Sequence, residues 1–129
     1  MKNMFVNSNN TFEVNVCTGT DKNGTSVISE KLSLDKDVLK DTSDNKIFFR
    51  KPGYGDNVQI LSAALKVVDG GLQLDPTLLR YERFCTLIKS WDFKDENGKV
   101  LEVTRQNINA LDPDIANFII EKLEEKLAI

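Results

Sequence analysis

"DPTLLRYERFCTLIKSWDFKDENGK", residues 75–99, decides the fold. Asp75 is a natural N-cap, and Pro76 sits at the first helical position, where its missing N–H costs nothing. Leu78, Tyr81, Cys85 and Ile88 recur at helical spacing, and Phe84, Leu87 and Trp91 widen the stripe. Arg80, Arg83 and Lys89 fall on the opposite face. The spacing therefore predicts a helix that closes on Trp91 and packs at the centre of the core. The chain then breaks into "DFKDENGKVLEV", a small hairpin around Asn97–Gly98, a pair that tolerates positive φ.

Toward the N-terminus the pattern is β. In "TFEVNVCTG", Phe12, Val14 and Val16 alternate with Glu13, Asn15 and Cys17, the period of a half-buried strand. Asn23–Gly24 predicts a hairpin, and "SVISEKLSL" returns with Val27, Leu32 and Leu34 as its apolar points. The polar run 35–46 fits a short helix or a loop. Ile47–Phe49 starts another strand, which Pro52, Gly53 and Gly55 end. Asp56 is placed to cap a helix over "NVQILSAALKVV". There Val58, Leu61, Leu65 and Val68 form the expected buried stripe, widened by Ile60 and Ala64, with "DGG" as its stop.

Beyond the opening stretch, Thr104 caps a short helix "RQNINAL", and Asp112–Pro113 repeats the cap-and-proline start. The last helix carries Ala116, Ile119, Leu123 and Leu127 on one stripe, flanked by Ile115, Phe118 and Ile120. Strands first and helices after predict an α+β fold. An N-terminal β-hairpin or small antiparallel sheet precedes a C-terminal helical bundle with a small β-hairpin. A single domain is expected over 1–129, mainly β over 1–50 and mainly α over 56–129, with the hairpin near 92–103.

Composition narrows the chemistry. The 129 residues are 40% hydrophobic and 29% charged, with a net charge of -3. Basic residues are interspersed with acidic ones, which argues against a nucleic-acid footprint. There is no histidine, and Cys17 and Cys85 lie in unrelated segments. This speaks against a zinc site and against Ser-His or Cys-His nucleophiles. Both cysteines read as small buried apolar residues. "GYGD" at 53–56 lacks the lysine of a P-loop and the third glycine of a dinucleotide fingerprint. Asp92, Asp95 and Glu96 do not fit the alternation of a calcium loop. No catalytic, metal-binding or cofactor-binding residue is expected. No secretory signal is read at the N-terminus, and no stretch approaches the roughly 20 apolar residues of a membrane span.

Three segments carry a resemblance. "IFFRKPGYGDNVQIL" feeds an extended segment with Arg50 through a Gly-Tyr-Gly turn into a helix. "LDPTLLRYERFCTLIKSWDF" is a helix closing on Ser-Trp-Asp-Phe. In "DENGKVLEVTRQNINALDPDIANFIIEKL", an Asn-Gly hairpin leads through Thr104 to a Leu-Asp-Pro turn and a terminal helix. In this order, over residues 47–129, the chain resembles the tail assembly chaperones of tailed bacteriophages and their relatives. The N-terminal β segment lies outside the resemblance. The resemblance implies a non-enzymatic protein of the host bacterial cytoplasm. Such a protein shields the apolar helical stripes of the tape-measure protein and guides tail tube polymerisation, with neither nucleic acid nor membrane as partner. The many copies needed favour self-association as well. The residues expected to grip the partner are Trp91, Tyr81, Phe118, Ile120 and Leu127. A structural role in the tail, neck or capsid surface of the virion is the alternative expectation.

Overall fold

The computed structural model describes residues 4–7, 9–31 and 39–128. Three strands come first: the long β1 (Thr11–Thr20), the short β2 (Ser26–Ser29) and the long β3 (Lys40–Arg50). They are followed by α1 (Tyr54–Ala63), the short strands β4 (Leu65–Val68) and β5 (Gly71–Leu74), α2 (Pro76–Leu87) and β6 (Ile88–Trp91). Two helices, α3 (Arg105–Asn109) and α4 (Pro113–Lys126), close the chain. The fold is α+β, with a four-stranded antiparallel sheet in the order β2-β1-β3-β6 and a separate β4-β5 hairpin.

The alternation read in β1 puts Val14 and Val16 in the core, beside Ile47 and Phe49 of β3. Helices cover this face. Phe84 and Leu87 of α2 join Ile119 and Leu123 of α4 and Ile60 of α1 in one buried cluster. The Phe84 ring meets Phe49 edge-on, with centroids 5.4 Å apart, an arrangement aromatic pairs favour. Arg80 ties α2 to α4 through Glu124.

Two turns repeat one piece of chemistry. The Asp21 carboxylate accepts from the N–H groups of Asn23 and Thr25, and Asp95 accepts from those of Asn97 and Lys99. Gly24 and Gly98 both take φ +79°, open to glycine at little cost. Asp95 is therefore a turn former. The hairpin expected near 92–103 reduces to a single bridge, Lys94↔Val100.

Three expectations change. The helix of the opening stretch stops at Leu87, and Ile88–Trp91 turns extended and pairs antiparallel with β3, Trp91 against Ile47. The free edge of β3 captures this segment, and tertiary pairing overrides helical periodicity. The polar run from Lys40 to Lys46 is neither helix nor loop; it extends β3 along β1 as far as Lys40↔Thr20. The helix expected over 57–68 with Asp56 as its cap instead runs Tyr54–Ala63, with Gly53 at the cap position and Asp56 inside the first turn, and Leu65–Val68 is a strand. Leu32, Leu34 and residues 35–38 lie outside the described residues. Cys17 is buried, whereas Cys85 is only half-buried, and no disulfide joins them.

Candidate functional site: an uncovered apolar face on α1 and the β4–β5 hairpin

The entry to α1 is held by charge. Arg50, at the end of β3, forms a two-pronged pair with Asp56, its Nη2 lying 2.9 Å from Oδ1 and 3.1 Å from the carbonyl of Thr86 on α2. Asp56 also accepts from the Gly53 N–H at 2.9 Å, so it closes the first helical turn from within. The Arg50 guanidinium first, and then the Gly53 N–H, hold the Asp56 carboxyl below the usual carboxylate range. One cluster thus joins the sheet, α1 and α2.

With its start fixed, α1 sends Ile60 and the adjoining Ala64 inward, and both are buried. Val58 and Leu61, expected in the buried stripe, stay exposed, as do Leu65 and Val68 further along. The helical stripe does not form, because the chain turns extended at Leu65 and puts Leu65 and Val68 on opposite faces of a strand.

The hairpin that follows α1 adds further exposed apolar side chains. At its tip Asp69 and Gly70 take φ +49° and +79°, the two positive values a type I′ turn requires. The register pairs Leu65 with Leu74 and Val67 with Leu72. Alternation puts all four on one face, with Lys66, Val68, Gly71 and Gln73 on the other. Val67 is 75% exposed and Leu72 70%. Among the described residues both outer edges of the hairpin are unpaired. An isolated two-stranded hairpin is marginal in water, so its apolar face calls for a cover.

Asp75 fastens the hairpin to the body. Its N–H donates to the Ala64 carbonyl at 2.9 Å, and its carboxylate accepts from Thr77 and Leu78 at the start of α2. It also pairs with Lys66 of β4. Lys66 and then the Leu78 N–H hold the Asp75 carboxyl low.

Beside α1 lies an open groove of roughly 590 Å³ between α1, α2 and the end of α4. Leu61, Leu79, Leu87 and Leu127 line it. Leu61, one of the exposed residues of α1, is thus part of the groove wall.

The five residues expected to grip a partner fall in different places. Trp91 is 5% exposed; its indole N–H donates to the Leu101 carbonyl at 2.7 Å and its ring meets Phe93. It offers little surface. Tyr81 and Ile120 share a depression between α2, α3 and α4, where the Tyr81 hydroxyl donates to Asn109. Phe118 is half-buried, with the Lys122 ammonium 5.5 Å from its ring centre. Leu127 lines the groove beside α1. The hairpin face is absent from the expected set. Its signal was present in "VVDGGLQL": Asp-Gly between β-branched and apolar residues is a strong two-residue hairpin signature.

Among the described residues no cluster of three or more His, Cys, Asp or Glu side chains is placed to hold a metal, and no helix is long and apolar enough to cross a membrane. Burial pushes the Cys85 thiol above its ordinary value, the reverse of what an activated nucleophile needs. Comparison of the chain with protein-family models, curated proteins and solved structures finds no match.

Proposed function

We propose that this protein is a non-enzymatic tail assembly chaperone of a tailed bacteriophage, which grips tape-measure and tail tube proteins during tail morphogenesis. The observation that supports it is the exposed apolar surface of the hairpin face Leu65, Val67, Leu72 and Leu74, together with Val58 and Leu61 on α1. A tape-measure protein presents long apolar helical stripes before tube subunits enclose it. A small partner that offers apolar surface of its own can shield those stripes. Residues 47–129, which carry the resemblance, contain the whole of this face. Co-expression with the tape-measure and tail tube proteins of the same phage, followed by mass measurement of whatever co-purifies, tests the reading. Recovery of a defined complex is expected; recovery of neither protein counts against it.

A second reading is a structural protein of the tail, neck or capsid surface. The open edges of β4 and β5 favour it, because an unpaired hairpin edge accepts a strand from a neighbouring subunit. Purified mature virions separate the two. A chaperone is scarce there, whereas a structural component is present in fixed stoichiometry.

A further inference from the structure

The groove beside α1 carries a charge pattern that its apolar floor does not require. Lys51, Arg83 and Lys126 stand among its lining residues, and among the described residues no Asp or Glu does. The chain as a whole is acidic, with 20 Asp and Glu against 17 Lys and Arg. Several cations elsewhere are matched to carboxylates, among them Arg50 with Asp56, Lys66 with Asp75, Arg80 with Glu124, and Arg105 with Glu82. Others, such as Lys89 and Lys94, stand singly among the described residues on the surface away from the groove. Among the described residues the three groove cations form no ion pair. They come from the segment after β3, from α2 and from the end of α4, so three separate parts of the fold bring like charge to one apolar trough.

We propose that this groove takes an acidic amphipathic helix from the partner, its apolar residues on the leucine floor and its carboxylates against Lys51, Arg83 and Lys126. The inference rests on the docking reading above and names the chemistry of what is docked. A trough flanked by two helices accepts the ridge of a third. Unmatched cations at the rim select for acidic flanks, reject basic ones, and speed encounter at low salt.

Two labelled peptides test it, each a helix of roughly 18 residues with Leu at i, i+3, i+4 and i+7. One carries Glu on the flanking positions, the other Lys. Fluorescence anisotropy with the full chain is expected to show binding of the Glu peptide, weakening as salt rises, and at least about tenfold weaker binding of the Lys peptide. The variant Lys51→Glu/Lys126→Glu changes two exposed side chains and should fold normally by circular dichroism. It is expected to reverse the preference. Equal binding of both peptides, binding of neither, or an unchanged preference in the variant overturns the proposal. Capture of the tape-measure protein without peptide binding overturns the groove assignment and leaves the docking reading standing. Peptide binding without such capture supports the groove and overturns the choice of tail proteins as partner.

Discussion

Val67 and Leu72 face each other across the β4–β5 hairpin, and both leave most of their side-chain surface in water. A cross-strand pair of this kind normally stabilises a sheet by packing against a core. Among the described residues the pair neither joins the buried cluster nor packs against it. A partner that covered the pair would gain that apolar burial.

Val67→Ser with Leu72→Ser should leave the fold intact. Neither residue touches the buried cluster, so unfolding stability is expected to change by no more than about 0.5 kcal/mol per site. The variant should stay monomeric at higher concentration than the parent. Urea denaturation and sedimentation velocity check both parts.

Gly70→Val should disturb the hairpin alone. A β-branched residue at φ +79° costs roughly 1–2 kcal/mol. Amide exchange over residues 65–74 is expected to quicken while that of β1, β3 and α4 is unchanged.

Stability should depend on Asp56 with a definite sign. Its folded carboxyl titrates below the unfolded value of about 4, so its contribution is complete above that value. The contribution is lost as pH falls through the lower folded value. Asp56→Asn is expected to cost about 1–2 kcal/mol at neutral pH, from the helix cap and the partly exposed pair with Arg50. The gap to the parent should close below about pH 4. Urea titrations of both proteins across that range measure it.

Trp91 is the sole tryptophan, and its burial makes it a reporter of the core. Its emission should be blue-shifted in the folded chain and nearly unchanged when a partner binds at the hairpin. Trp91→Ala should destabilise by about 3–5 kcal/mol.

The sequence shows the fold class clearly because its strongest signals are local. Alternation in "TFEVNVCTG", the Asn-Gly turns, and the Asp75–Pro76 and Asp112–Pro113 starts each depend on neighbouring residues only. Two of the misread segments, residues 40–46 and Ile88–Trp91, are decided by non-local pairing. Ile88–Trp91 fits the α2 periodicity, yet the open edge of β3 draws it into the sheet. The site was hidden for a related reason. Val58, Leu61, Leu65 and Val68 have the spacing of a buried stripe, and spacing alone does not say whether the cover comes from the same chain. Asp69–Gly70 did mark the turn, but read as a helix stop it concealed the hairpin.

The most direct test of the proposed docking role is a mass measurement of whether the chain forms a complex with a phage tape-measure protein encoded beside it. Native mass spectrometry is run on the parent chain and on Val67→Ser/Leu72→Ser, each co-expressed with that protein. A defined complex with the parent, and its loss in the folded variant, is the predicted result. No complex with the parent, or an equal complex with the variant, would contradict the account.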